Sequence, residues 1–265
     1  MSKQPNKWLR GCAVGCGAVA ILFLLAIGVG SFVMQRPFQD AIGTREELED
    51  VHGPTASFTP APDGTISSDR VEAFIQVRRS LQNACGELEE SSAQFETLDH
   101  LDDEDKATVG EIRVAFWSAM KAAFGMGTQM GEFFQTRNAT LAEVDMGLGE
   151  YTYLYVLAYV PRSGREDRAI SNRVASDLRQ MLRNQQAAID ALGEDAVDEF
   201  SDLLDRELAA LESDAERLSW QEGLPPQIED SLAPYRDELD ALFCPDAFSL
   251  ELTRNEKFWV GIRGD

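Results

Sequence analysis

The uncharged run Tyr151-Thr152-Tyr153-Leu154-Tyr155-Val156-Leu157-Ala158-Tyr159-Val160 decides how this 265-residue chain folds. It holds four of the five tyrosines, and Tyr151, Tyr155 and Tyr159 recur at i, i+4 and i+8, one face of an α-helix. A helix apolar on every face has to be enclosed by others, so this segment predicts the central helix of a bundle. Pro161 ends it. Upstream, Thr140-Leu141-Ala142-Glu143 has the form of a capping box and places the helix start there. Read for function, the three stacked tyrosines would form an aromatic ligand wall; read for packing, they fill a core with their hydroxyls at its rim. Arg78, bordering the stripe of an earlier helix, is the expected partner of Asp145 or Glu150.

The segments on either side repeat at helical spacing. From Ser67 or Ser68 as cap, Phe74, Val77, Leu81, Cys85, Leu88 and Phe95 form one stripe. After the acidic break Asp99 to Asp105, a second helix runs to about Gln135 through Val109, Ile112, Phe116, Ala119, Ala123, Met126, Met130 and Phe133. Gly125, Gly127 and Gly131 interrupt it at a cost of about 1 kcal/mol each, which points to close approach by a neighbouring helix. The next pair of helices is complementary in charge. Residues 162–183 carry six arginines against three acids, with Arg168, Arg179 and Arg183 on one face. Residues 194–220 carry ten acids and two bases, so antiparallel pairing sets the two against each other; the competing reading of the arginine face is an anion site. Pro225-Pro226 opens a last helical stretch, kinked at Pro234. The alternation Phe248, Leu250, Leu252 and then Phe258, Val260, Ile262 predicts a short C-terminal β-hairpin. The fold expected is all-α: an antiparallel bundle of about five to six long helices over residues 68–252, followed by a tail, 253–265.

Ahead of the bundle, residues 11–34 contain no charge. At 1.5 Å per residue they make a helix of about 36 Å, enough for a hydrocarbon core of about 30 Å. This reads as a single transmembrane helix. Lys3, Lys7 and Arg10 on the short tail 1–10 hold that tail in the cytoplasm, so the bulk of the chain is exported. Arginine use and the compact anchor-plus-domain layout suggest a bacterial inner-membrane protein facing the periplasm. Gly28-Val29-Gly30 offers the alternative of signal-peptide cleavage and secretion. Gly11 and Gly15, Ala13 and Gly17, and Ala26 and Gly30 would let two such helices approach as a homodimer. Residues 35–67, with Pro37, Pro54, Pro60 and Pro62, read as an extended linker in which Thr44 to Val51 forms a short helical piece.

The chemistry on offer is sparse. With 46 acids against 24 bases and a net charge of -22, the chain repels phosphates, which excludes nucleic acid as a partner. His52 and His100, the two histidines, stand apart from any helix-borne ligand set, and no phosphate loop, dinucleotide fingerprint or nucleophile elbow occurs. No cofactor, metal or catalytic residue is therefore expected. Asn138-Ala139-Thr140 is formally a glycosylation sequon. Cys12 and Cys16 belong to the apolar run, which leaves Cys85 and Cys244 either as one disulfide or as two packed thiols. The functional expectation is a non-enzymatic module for protein interaction or envelope organisation. The alternative is a ligand-binding or sensory domain using Tyr151, Tyr155, Tyr159, Arg168, Arg179 and Arg183.

Overall fold

The computed structural model describes residues 39–99, 109–162, 172–193, 198–214 and 217–253, and all their regular structure is helical. Residues 11–34, the expected membrane anchor, lie outside this set, as does Arg168. Among the described residues no helix is long and apolar enough to cross a bilayer.

The helices are α1 (residues 39–52), α2 (Ser68–Ser80), α3 (Gln82–Asp99), α4 (Val109–Glu143), α5 (Leu148–Tyr159), α6 (Asn172–Leu192), α7 (Asp198–Ser213), α8 (Pro226–Leu232), α9 (Arg236–Ala241) and α10 (Phe248–Thr253). Helix α5 is the central one: eleven of its twelve residues are buried, only Glu150 reaching the rim. Helix α3 runs along α4, α2 crosses both α4 and α5, and α6 pairs with α7. The last pair is antiparallel, tied by Gln186 to Ser201 at 3.2 Å and Arg183 to Glu212 at 3.0 Å.

Several boundaries differ from the sequence expectation, each for a local reason. The stripe Phe74 to Phe95 spans two helices, because Leu81 (φ -86, ψ -9) leaves the ladder between them while its side chain stays fully buried. Thr140 caps nothing. It lies inside α4 and donates its hydroxyl to the Thr136 carbonyl at 2.9 Å, a bond open to any threonine in a helix interior. The reversal comes later, where Asp145 takes the left-handed conformation (φ 52) and Met146 N–H reaches the Leu141 carbonyl at 2.9 Å, closing a Schellman turn. Gly147 then starts α5. The acidic helix expected to run to Trp220 stops at Ser213, and Trp220 sits in a turn at φ 58. The kink at Pro234 is a 3-10 turn, Ala233–Tyr235, between α8 and α9. The predicted hairpin is absent on its first arm: Phe248–Thr253 is helical, since Phe248 and Leu252, four apart, bury on one face. Its second arm lies outside the described residues.

The segment expected as a linker is, from residue 39 on, part of the body. Helix α1 buries Ala41, Arg45 and Leu48, and the Asn138 side-chain amide donates to the Ala41 carbonyl at 3.0 Å. Asn138 is thereby fully buried, which removes the sequon from use. The Pro-rich stretch that follows bonds its own carbonyls only at the turns Pro54–Ser57, Thr55–Phe58 and Ala61–Gly64, and the rest of its backbone needs outside partners. Helix α6 adds donors: Asn184 donates to Ala56 and Phe58 carbonyls at 3.0 and 3.3 Å, and Gln185 to Ala61 at 2.6 Å. The turn Thr55–Ser57 lies so close to α5 that a Cβ on Gly149 would meet the Thr55 carbonyl oxygen at 2.4 Å.

Helix α4 continues unbroken through its three glycines. Gly127 and Gly131 are buried, whereas a Cβ on Gly125 would meet nothing within 4 Å among the described residues. Close approach therefore does not explain Gly125. Thermal unfolding should separate these cases: Gly125→Ala raises stability by about 0.5–1 kcal/mol through helix propensity. Gly149→Ala lowers it, because backbone has to move.

Candidate functional site

The chemistry-bearing side chains converge in the core, where α2, α4, α5 and α10 meet. Arg78 of α2 has 0 % exposure. Its Nη1 donates to Glu251 Oε1 at 2.5 Å and to the Tyr151 hydroxyl at 2.9 Å, and its Nη2 to the Leu242 carbonyl at 3.2 Å. The Tyr151 hydroxyl in turn donates to the same Glu251 oxygen at 2.8 Å. Arg137 of α4 approaches the other oxygen, Oε2, at 3.4 Å and donates to Asn138 Oδ1 at 3.0 Å. Glu251 is thus the carboxylate that two buried guanidiniums reach, and its own side chain is 1 % exposed.

Aromatic rings enclose this group. The Arg78 guanidinium lies 5.1 Å from the centroid of Tyr155 and 5.4 Å from that of Tyr159, and Arg137 lies 4.9 Å from that of Phe134. Such contacts contribute about 2 kcal/mol when desolvated. Phe243 packs on Tyr159 at 5.0 Å and Phe248 on Tyr155 at 6.1 Å. Burial opposes the charge on Arg78, but Tyr151, Glu251, Tyr155 and Tyr159 together outweigh it and hold its value above the ordinary one. The phenols move the other way from their ordinary value. Burial pushes Tyr151, Tyr153, Tyr155 and Tyr159 all up, Arg78 offsetting part of the effect for Tyr151, Tyr155 and Tyr159.

The sequence-derived site residues separate here. Tyr151, Tyr155 and Tyr159 do share one surface, but that surface faces Arg78, and none exceeds 4 % exposure. Arg179 and Arg183 lie elsewhere, with Leu211 and Glu212 around a shallow cleft of about 220 Å³. The tyrosines do not line that cleft. Arg78 does not pair with Asp145 or Glu150. Two turns nearer the N-terminus, Arg70 takes both, holding Glu150 through two bonds of 2.6 Å and the Asp145 carbonyl at 3.1 Å. Cys85 and Cys244 meet, joined as a disulfide with Cα atoms 5.9 Å apart.

Arg137 and Glu251 were not singled out from the sequence, although a signal for them exists. Arg78 follows Phe74 by four, Arg137 precedes Leu141 by four, and Glu251 follows Phe248 by three. A charge on the apolar stripe of a helix has to meet an opposite charge inside. Two larger clefts lie at the surface, one of about 520 Å³ among Asp69, Glu72, Arg79, Tyr235 and Glu238, the other of about 430 Å³ beside Trp220 and Pro225. Among the described residues no group of three or more His, Cys, Asp or Glu is placed to hold a metal. No protein-family model, curated protein or solved structure matches the chain.

Removing one partner of a buried ion pair leaves the other uncompensated, so Glu251→Gln should cost about 3–5 kcal/mol in a denaturant titration. Alkali should unfold the chain through its tyrosines. Their folded values lie above the unfolded value of about 10, so below that pH both states are protonated and nothing is lost. Above it the unfolded state alone releases protons, and stability falls by about 1.4 kcal/mol per pH unit for each buried tyrosine. Phenolate absorbance and loss of helical circular dichroism should then rise together in one step rather than in sequence.

Proposed function

We propose that this chain is a single-pass, membrane-anchored extracytoplasmic protein whose helical bundle works through protein contacts as a non-enzymatic interaction or envelope-organising module. One observation carries the reading: the place where ionisable side chains converge is closed by the chain's own Glu251 and inaccessible to solvent. A site for catalysis or for a small ligand needs an open approach, and this one is filled by its own side chains, with Arg78 Nε and the Tyr155 and Tyr159 hydroxyls enclosed but unbonded. Among the described residues the open features lie at the outer surface, which is strongly acidic over α7 and carries clefts. Acidic surfaces favour basic protein partners over phosphates or anionic lipid. The uncharged run 11–34 supports the tether.

The reading makes two demands on cells that express the intact chain. The protein should stay in the membrane fraction after alkaline carbonate washing, and lose that property when residues 1–36 are deleted. Crosslinking in native membranes, followed by pull-down, should recover the same partner in repeated preparations. Release by carbonate would overturn the tether, and failure to recover any reproducible partner would overturn the interaction role.

A further inference from the structure

The stretch that delivers Glu251 to the core is attached at several points along α2 and α3. Arg79 Nε donates to Glu238 at 2.7 Å, Gln82 joins Arg78 on the Leu242 carbonyl at 3.3 Å, Cys85 bonds Cys244, and Ser92 reaches Asp246 at 3.1 Å. These contacts advance along α2 and α3 as they advance along the strap. After Pro245 the chain doubles back as α10, which returns Glu251 to Arg78.

Helix α10 has six residues, too few to hold helical structure by itself. Its order comes from docking: Phe248, Glu251 and Leu252 are all buried against the body. The dependence also runs in reverse. Arg78 and Arg137 are enclosed by α2, α4 and α5, and enclosing a guanidinium without a counter-charge costs several kcal/mol. The body therefore cannot close around its arginines until the strap has brought Glu251.

We propose that residues 242–252 are a latch with two locks, the Glu251 ion pair and the Cys85–Cys244 disulfide, and that packing of the central helix α5 depends on the latch being shut. The disulfide supplies what the charge alone does not. It ties the strap to α3 seven residues ahead of Glu251, so that an opened α10 stays near its seat and recloses. Reduction removes this tether. A dithiol such as dithiothreitol transfers two electrons and two protons to the sulfurs, giving two thiols and the cyclic disulfide of the reagent. The latch is a property of the bundle itself and does not require the membrane anchor or a partner.

Hydrogen exchange on the intact purified chain tests this independently of the functional proposal above. In the oxidised protein, amides of α5 and α10 should share one slow rate. With dithiothreitol, both should speed up by about tenfold or more, and together, because they open as one unit. Glu251→Gln should have the same effect without reductant. Exchange that quickens in α10 alone, with α5 protected as before, would overturn the latch. Should Glu251→Gln fail to fold, the triple variant Arg78→Met, Arg137→Met, Glu251→Leu decides the matter. With no buried charge to neutralise, it should fold and keep α5 protected on reduction; a triple variant that also fails to fold would overturn the proposal, since packing and not charge would then be what the strap supplies.

Discussion

The contact between Arg78 and Glu251 sets conditions that the other elements have to meet. A guanidinium withdrawn from water loses its hydration, and only a carboxylate with good geometry and further acceptors restores the balance. Around Arg78 those acceptors are Glu251, the Tyr151 hydroxyl and the Leu242 carbonyl, from three separate parts of the chain. The phenol rings of Tyr155 and Tyr159 cover the remaining face. Helix α5 thus cannot turn about its axis, nor α9 end elsewhere, without leaving a charge exposed to apolar surroundings. Replacing such a group by hydrocarbon is often neutral for stability, whereas removing one partner alone is costly.

A different constraint operates at the edge of the body, where the obstacle is backbone rather than charge. Residues 53–66 have few hydrogen bonds of their own, and a polar backbone held against a core has to be satisfied by something. Two neighbouring amides of α6, Asn184 and Gln185, supply the donors, and Ser231 accepts from Ile66 N–H at 3.1 Å. Gly149 provides the room on α5. Proline and glycine here mark a strand of chain fitted to a surface, not a spacer free of it.

The distinction explains what could be read in advance. The central helix was legible because its composition is extreme: ten successive uncharged residues admit no exposed face. Kinks at proline and charge-matched pairing of α6 with α7 follow equally from local rules. The course of residues 39–66 was not legible, since the groups that hold it, Asn138, Asn184 and Gln185, act over more than ninety residues of separation and leave no periodic trace. The hairpin expectation failed because strand and helix patterns coincide over five residues; Phe248, Leu250 and Leu252 suit a strand, while Phe248, Glu251 and Leu252 suit a helix. Glu251 decides between them, but only once Arg78 and Arg137 are known to lie opposite.

The docking of α1 has a consequence for reach. Its first described turn, at residue 39, is fixed to α4 through Ala41 and Asn138, and the apolar run ends at Met34. Five peptide steps cover at most about 18 Å. A chain anchored as proposed therefore carries its bundle against the bilayer, within the depth of the headgroups and a few layers of water. Partners that extend away from the membrane would have to come down to it, and two copies would meet sideways, in the plane, at a fixed height.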